Sequence, residues 1–145
     1  MYFRYKAHMI ELNKLSLSIS LGRLTKDEAI EQMRKGLVYS MRIGDRYVLN
    51  CGKNMIDFKH MFNDPVNFPT DLIFNFDEWR KEENYMKIVR AEEDHDILRN
   101  MKMYEMKKDF QLVILQENSG DLEAKNKLKA CIPHLADSFD VYIVE

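Results

Sequence analysis

The chain has 145 residues, a size that favours a single domain with its own hydrophobic core. Apolar residues make up 46% and charged residues 32%, a balance that excludes a largely disordered chain and a membrane span. The net charge of −2 argues against a general binder of nucleic acids or anionic membranes, which would carry a basic excess. We therefore expect one α/β domain over 1–145, with 1–24 as a peripheral helix. The chain is either a complete minimal domain or a piece of a longer polypeptide.

The cysteines and the first residues indicate the compartment. Cys51 and Cys131 are not part of a C-x-x-C pair, and no histidine lies at a zinc-site spacing from either. We interpret them as buried, reduced thiols, which are typical of a reducing compartment; the alternative is a long-range disulfide between them. The N-terminal sequence lacks the continuous apolar stretch of a signal peptide. The sequence therefore predicts a cytoplasmic protein.

The first segment, 5–21, combines two patterns. Leu15, Leu17 and Ile19 alternate with serines, as in a half-buried strand. Helical spacing also places Ile10 and Leu17 on one face. We interpret this segment as a helix.

The clearest local signal is a helix start at Thr25. Thr25 and Glu28 have the spacing of a capping box, in which each side chain accepts a hydrogen bond from the other residue's backbone N–H. Gly44 is a good C-terminal stop. The pattern predicts a helix over 26–42. Its apolar stripe consists of Ile30, Met33, Leu37 and Met41.

The rest of the chain alternates strand and helix patterns. Strands are predicted at 46–50, 72–76, 110–115 and 141–144. Helical patterns are predicted at 56–62, from Glu78 with Asp77 as its N-cap, and at 122–132. Alternation with long connections predicts an α/β fold, a three-layer sandwich on a mainly parallel sheet of about four strands.

The apolar stretch 72–76 is followed directly by Asp77 and Glu78. This arrangement resembles the Walker B element of P-loop NTPases. The resemblance implies that Asp77 holds a magnesium-bound water and that Glu78 polarises the attacking water. The same residues also fit a strand followed by an ordinary Asp N-cap.

A second, partial resemblance lies upstream, where Gly52 and Lys53 follow a strand. A phosphate loop needs G-x-x-x-x-G-K-[ST], whereas Tyr47 stands at the first glycine position and Asn54 at the hydroxyl position. Together the two elements resemble a degenerate P-loop NTPase. That resemblance implies a Mg-nucleotide held by Gly52, Lys53, Asp77 and Glu78, with little or no hydrolysis.

Candidate metal and catalytic groups are sparse. Of the four histidines only His95 has close acidic neighbours, within the run 92–96, which we interpret as a solvated acidic turn. No Ser or Cys nucleophile is paired with a nearby His in a recognised pattern. We therefore assign no metal ligand, no catalytic residue and no cofactor, except for the Mg-nucleotide alternative.

A methionine-rich stretch between 101 and 106 is the strongest candidate for a partner contact. Flexible thioethers suit adaptable surfaces, so Met101, Met103, Tyr104 and Met106 are predicted to bind another protein chain. The alternative is a lid that covers the sheet.

The same stretch contains cations next to an aromatic residue. Lys102, Lys107 and Lys108 flank Tyr104, a pattern that could hold single-stranded nucleic acid, but nearby acidic residues dilute the charge. We interpret it as a solvated face. No nucleic-acid or membrane partner is expected.

These patterns favour a non-catalytic module that assembles with other protein chains. The alternative is a nucleotide-binding domain, and a weaker third option is an enzyme whose catalytic groups lie scattered over loops.

Overall fold

The computed structural model describes residues 7–117 and 122–140. The strands are β1 (Ala7–Glu11), β2 (Arg46–Asn50) and β3 (Gln111–Leu115). The helices are α1 (Leu12–Ser20), α2 (Lys26–Ile43), α3 (Thr70–Ile73), α4 (Phe76–Trp79), α5 (Glu82–Tyr85), α6 (Leu122–Cys131) and α7 (Leu135–Ser138). Two 3₁₀ turns, Met86–Ile88 and Ala91–Glu93, lie between α5 and β3.

Within the described ranges the three strands form one parallel sheet in the order β1-β2-β3. Their last residues are in register, so that Glu11, Asn50 and Leu115 lie side by side. The predicted α/β class and the parallel pairing are confirmed. The strand predicted at 141–144 lies outside the described residues.

The core lies on one face of this sheet. Because side chains alternate between the two faces of a strand, Tyr47 and Leu49 share one face and Val48 lies on the other. Tyr47 and Leu49 belong to the main hydrophobic cluster, together with residues of α1 and α2. Met9 and Leu115 lie on the opposite face and are 49% and 43% exposed. The described part of the chain thus forms a helical layer on one face of the sheet.

Helix α2 begins and ends as its sequence predicts. Thr25 Oγ1 accepts a hydrogen bond from the Glu28 N–H at 3.1 Å, and Glu28 Oε1 accepts one from the Thr25 N–H at 3.3 Å. The helix ends at Gly44, which has the left-handed φ of 78° that glycine adopts without strain. Its predicted stripe is buried, with Met33 and Met41 fully enclosed.

Gly36 lets α2 pack closely on the sheet. A Cβ atom at this position would lie 3.0 Å from His8 Nε2 and 3.1 Å from Tyr47 Cε2. Tyr47 is itself held in place, because its Oη donates to the Met33 carbonyl oxygen at 2.7 Å. The close approach of α2 to the sheet is therefore possible because glycine has no side chain at position 36.

The helix predicted over 5–21 is right only in its second half. Residues Ala7–Glu11 form the edge strand β1, and α1 begins immediately afterwards at Leu12. Sequence periodicity did not separate them because the strand passes directly into the helix without a turn.

The strand predicted at 72–76 is wrong. The Ile73 and Phe74 N–H groups donate to the carbonyl oxygens of Pro69 and Thr70, both at 2.9 Å, so these residues form helical turns. A short apolar stretch cannot be distinguished from a buried helix by periodicity alone. The predicted N-cap is wrong as well: Asn75 occupies the N-cap of α4, and Asp77 lies in its first turn.

The helical patterns predicted at 122–132 and 56–62 are found in part. Helix α6 spans Leu122–Cys131, one residue shorter than the predicted 122–132, and it ends two residues before Pro133. Leu122, the first residue of this helix, is 74% exposed. No helix forms at 56–62; a single helical turn is present there, with a hydrogen bond from the Met61 N–H to the Asp57 carbonyl oxygen at 2.8 Å.

Candidate functional site

The carboxyl ends of the three strands form the first candidate site. Ligands of parallel α/β sheets bind beyond these ends. Gly52 and Lys53 follow β2 at this edge, while Asn13 follows β1 and Gln116 follows β3. The structure therefore places two of the residues predicted from the sequence, Gly52 and Lys53, where a ligand of this fold class would bind.

Gly52 is packed closely between the other two strand ends. Its carbonyl oxygen accepts hydrogen bonds from the Glu117 N–H at 2.8 Å and from Gln116 Nε2 at 3.1 Å. Its φ is +59°, and a Cβ atom there would lie 2.9 Å from Asn13 Nδ2. The turn thus requires glycine both for its backbone conformation and for space.

Two polar side chains at this edge, Asn13 and Lys53, differ in their exposure. Asn13 Oδ1 is buried and has no hydrogen-bond partner. Lys53 is exposed. A buried acceptor without a partner is uncommon, because its desolvation costs about 1–3 kcal/mol. The edge therefore presents one exposed cation beside a glycine turn, while the unpaired acceptor is enclosed.

Asp77 and Glu78 do not lie at a strand end. They belong to α4, where Asp77 is exposed and Glu78 pairs with Lys81 at 3.0 Å. Within the described part of the chain, neither carboxylate forms a hydrogen bond or an ion pair with Gly52 or Lys53. The structure brings Gly52 together with Asn13 and the end of β3 instead.

The methionine-rich stretch divides into an exposed part and a buried part. Met101 and Met103 are each 59% exposed, and Ile97 and Leu98 in the preceding turn are 57% and 77% exposed. Met106 is half-buried against the core. We call residues 95–103 the apolar loop, because they present four large apolar side chains to solvent.

Tyr104 is the anchor of this loop. It is 4% exposed, and its Oη donates to the Val38 carbonyl oxygen in α2 at 2.8 Å. Burial raises the pKa of the Tyr104 hydroxyl. The Arg42 guanidinium lies 5.3 Å from the centre of its ring. An enclosed ring of this kind has no free face on which a nucleic-acid base could stack.

The apolar loop has a fixed conformation centred on Asp96. One oxygen of its carboxylate accepts from the N–H groups of Leu98 and Asn100, both at 2.9 Å, and the other accepts from Asn100 Nδ2 at 2.8 Å. The Arg99 N–H donates to the Asp96 carbonyl oxygen at 3.0 Å. An Asx turn of this kind holds the intervening side chains outward.

Helix α2 holds the base of the loop through Arg42. Its Nη2 donates to the Glu93 carbonyl oxygen at 2.7 Å, and its Nε donates to the His95 carbonyl oxygen at 3.1 Å. These two bonds join Arg42 to the carbonyl groups on either side of Asp94, just before the Asp96 turn. The loop is therefore fixed to the helix as well as within itself.

A buried ion network lies beneath this junction. Arg34 is 2% exposed; it donates to Glu31 at 3.0 Å, to Glu93 at 3.2 Å and to the Ile88 carbonyl oxygen at 2.8 Å. Burial alone would raise the pKa of the Glu93 carboxyl, but hydrogen bonds from Arg34 and the Arg90 N–H hold it below its ordinary value. The hydrogen bond from Arg34 also lowers the pKa of Glu31. The network fastens 86–93 to α2.

A shallow cleft of about 300 Å³ was not foreseen from the sequence. His134 Nε2 lies 3.0 Å from Asp71 Oδ1, and His134 has a left-handed φ of 58°. This pair joins residues far apart in the chain, so no local pattern could have predicted it. The cleft is lined by Lys59, Asn63, Thr70, Asp71, Pro133 and His134.

The acidic run at 92–96 does not form a metal centre. Glu93 pairs with Arg34, Asp94 accepts from the Tyr104 N–H at 3.2 Å, and Asp96 is used within its own turn. Across the described residues, no group of three or more His, Cys, Asp or Glu side chains is placed to hold a metal ion. None of the described helices is long and apolar enough to cross a membrane.

Comparisons with known proteins do not assign the chain to a family. No protein-family model matches it, and neither a curated protein nor a solved structure is significantly similar. The resemblance to P-loop NTPases therefore rests only on the residues Gly52, Lys53, Asp77 and Glu78.

Proposed function

We propose that this chain is a non-catalytic α/β module that assembles with another protein chain through the apolar loop. The observation that carries the proposal is the exposure of Ile97, Leu98, Met101 and Met103 on a turn whose backbone is fixed by Asp96. Several exposed apolar side chains on one short loop are typical of interaction sites. The predicted contact residues Met101 and Met103 form its surface, while Tyr104 and Met106 support it from below.

Rigidity strengthens this proposal. Each large apolar side chain that becomes buried contributes about 1.5–3 kcal/mol, and part of that gain is lost when a flexible loop must be ordered on binding. The Asp96 turn and the Arg42 bonds have already ordered the apolar loop. Its methionines still allow the surface to adapt to the shape of a partner.

A photo-crosslinking experiment tests the assembly. The full chain carries a photoreactive phenylalanine analogue at Leu98 in one sample and at Leu122 in a matched sample, because these leucines are 77% and 74% exposed on different elements. We expect a discrete protein adduct in the native cells at Leu98 and a much weaker one at Leu122. Equal yields at both positions, or no adduct at Leu98, would contradict the proposal. Met101→Ser should reduce the yield at Leu98.

A nucleotide-binding domain remains the second candidate, favoured by the exposed cation Lys53 next to the glycine turn at Gly52. Glycine turns and cations at strand ends are common in phosphate sites. Titration of Mg-ATP and Mg-GTP, followed by heat or by melting temperature, tests it. Saturable binding that Lys53→Ala weakens would support this candidate, and Asp77→Ala would show whether the α4 carboxylates take part. No shift at millimolar nucleotide would exclude it.

The finer architecture and the compartment are part of the same proposal. Met9 and Leu115 leave an exposed apolar face that a third layer would cover, and a fourth strand would extend the sheet.

Cys51 is buried and free, and Cys131 is free as well. Free thiols support a cytoplasmic site of action. Alkylation of both cysteines in freshly lysed cells, under denaturing conditions, tests this.

A further inference from the structure

We infer that Met101 and Met103 are oxidation sites, at which conversion to methionine sulfoxide switches off the contact between the apolar loop and its partner. This inference rests on the proposed assembly function and adds its regulation. It follows from the exposure of the two thioether side chains and from their place on a loop whose backbone is fixed independently of them.

The methionines of the chain differ in exposure. Met101 and Met103 are each 59% exposed, whereas Met33 and Met41 are fully buried in the core. Met9 is 49% exposed, but it lies on the open face of the sheet and not on the apolar loop. Because an oxidant must reach the sulfur atom, a solute in water oxidises the exposed methionines before the buried ones.

The reaction is a two-electron oxygen transfer from a peroxide. A lone pair of the thioether sulfur attacks one oxygen of hydrogen peroxide, so that an S–O bond forms while the O–O bond breaks. Proton transfer to the departing oxygen releases water; the sulfur is oxidised by two electrons and the peroxide is reduced. The product is a polar, chiral sulfoxide, which methionine sulfoxide reductases reverse with a thiol as the electron donor.

The sulfoxide weakens the proposed contact because it places a strong hydrogen-bond acceptor on an apolar surface. Met101 and Met103 supply two of the four large apolar side chains that the apolar loop exposes. A polar group that is buried in a contact without a hydrogen-bond partner opposes association. Oxidation also stiffens and enlarges side chains whose flexibility suits the surface to its partner.

The fold of the loop does not depend on either sulfur atom. The Asp96 carboxylate orders the turn through backbone N–H groups. Met101 forms a backbone bridge with His95, and the Lys102 N–H donates to the Asp94 carbonyl oxygen. Oxidation of the exposed sulfurs should therefore remove the contact and leave the melting temperature of the chain unchanged.

Thiol oxidation is the competing reaction with peroxide. Burial raises the pKa values of both the Cys51 and the Cys131 thiol, which lowers the fraction of reactive thiolate. Dithiothreitol added after the peroxide reduces sulfenic acids and disulfides but leaves methionine sulfoxide in place. A loss of contact that survives dithiothreitol is therefore a consequence of methionine oxidation.

The test uses the full chain with the photoreactive analogue at Leu98. The purified chain is treated with increasing hydrogen peroxide and then with dithiothreitol, mixed with an extract of the native cells and irradiated. Mass spectrometry measures the sulfoxide at each methionine. We expect the two loop methionines to oxidise about tenfold faster than the buried Met33 and Met41. The adduct yield should fall about tenfold as the loop methionines are converted.

Leucine substitutions separate the loop from the rest of the chain. Met101→Leu with Met103→Leu keeps apolar side chains of similar volume without a sulfur atom, so its adduct yield should stay within about twofold of the parent chain, before and after peroxide. Met9→Leu is the matched control, because it removes an exposed methionine from the sheet instead. Its yield should fall with peroxide as in the parent chain. Methionine sulfoxide reductases for both sulfoxide epimers should restore the yield.

Three results would overturn the inference. An adduct yield that persists after full conversion of Met101 and Met103 would leave the assembly function standing without this regulation. An equal loss in the leucine double variant and in the parent chain would place the sensitive group elsewhere. The absence of an adduct at Leu98 before oxidation would remove the assembly function and its regulation together.

Discussion

Tyr104 and Val38 join the methionine-rich stretch to the long helix through a single buried hydrogen bond, 2.8 Å from the tyrosine Oη to the valine carbonyl oxygen. The bond connects residues 66 positions apart. Near it, the Lys107 N–H donates to the Met41 carbonyl oxygen at 2.9 Å. These hydrogen bonds thus fix the methionine-rich stretch, which carries the proposed partner surface, to the core helix α2.

Removal of the Tyr104 hydroxyl tests this anchor. Tyr104→Phe keeps the buried ring but loses the bond to Val38, and we expect it to lower the free energy of unfolding by about 1 kcal/mol. Hydrogen exchange at the Lys107 amide should become faster, because its bond to Met41 lies at the same junction. Urea unfolding and exchange measured by mass spectrometry check both effects.

Tyr39→Phe is the matched control, since Tyr39 lies on the same helix as Val38 and is 48% exposed. It removes the same atom without removing a buried bond, so unfolding should change by less than about 0.5 kcal/mol. Equal effects of the two substitutions would show that the Tyr104 hydroxyl does not anchor the stretch.

Arg34 should be among the residues most sensitive to substitution. Arg34→Met removes a 2%-exposed cation and leaves Glu93 partly buried without its partner. Breaking a buried ion pair on one side typically costs about 3–5 kcal/mol. Thermal and urea unfolding measure the loss.

The double variant Arg34→Met with Glu93→Gln provides the control. Because it removes the unpaired charge as well, it should recover part of the stability that Arg34→Met loses. Strictly additive effects of the two substitutions would contradict direct coupling between these side chains.

The same network predicts a dependence of stability on pH. The pKa values of Glu31 and Glu93 lie below the ordinary value of 4.5 in the folded chain. A carboxyl with a lowered folded-state pKa stabilises the fold above its unfolded pKa, and this contribution is lost as the pH falls through the folded-state pKa. The urea concentration at the midpoint of unfolding should therefore decrease for the parent chain as the pH is lowered below about 4.5.

Comparison with Glu93→Gln isolates the contribution of Glu93. The difference in stability between the parent chain and this variant should shrink between about pH 7 and about pH 3, because the variant has no carboxyl to protonate. Glu92→Gln changes an exposed neighbouring position, and the difference in its free energy of unfolding from the parent chain should stay constant over this pH range. A constant difference for Glu93→Gln would contradict the assignment.

Local signals predicted the elements that are stabilised locally. The capping box at Thr25 and the stop at Gly44 define α2 within one residue, because both act through neighbours in sequence. Strands β2 and β3 were also predicted. Ala7–Glu11 was missed, since its strand conformation depends on pairing with β2, a long-range partner that its own pattern does not reveal.

The candidate sites divide in the same way. The glycine turn at Gly52 could be placed at a strand end from the sequence, but its packing against Asn13 could not, because the two residues are 39 positions apart. The exposed Met101 and the buried Tyr104 have similar local surroundings in sequence. Only the long-range hydrogen bond from Tyr104 to Val38 distinguishes the buried Tyr104 from the exposed Met101.

Gly36 should not tolerate alanine, although alanine is the better helix former. Gly36→Ala should gain up to about 1 kcal/mol of helix propensity. The added Cβ would meet Tyr47, which is fully buried and hydrogen-bonded, so we expect overpacking of about 1–3 kcal/mol to exceed that gain. The midpoint of urea unfolding should fall. Lys35→Ala, exposed on the same helix, should leave it nearly unchanged.

Gly52 and Gly22 form a matched pair for the turn at the sheet edge. Both have left-handed φ, +59° and +70°, so alanine should cost each about 1–2 kcal/mol of backbone strain. Only at Gly52 would the new Cβ meet another group, Asn13 Nδ2 at 2.9 Å, whereas nothing lies within 4 Å at Gly22. Gly52→Ala should therefore lower the free energy of unfolding by about 1 kcal/mol more than Gly22→Ala, as measured by urea titration. Equal losses would mean that Asn13 moves aside freely and that the edge beside Lys53 is not closely packed.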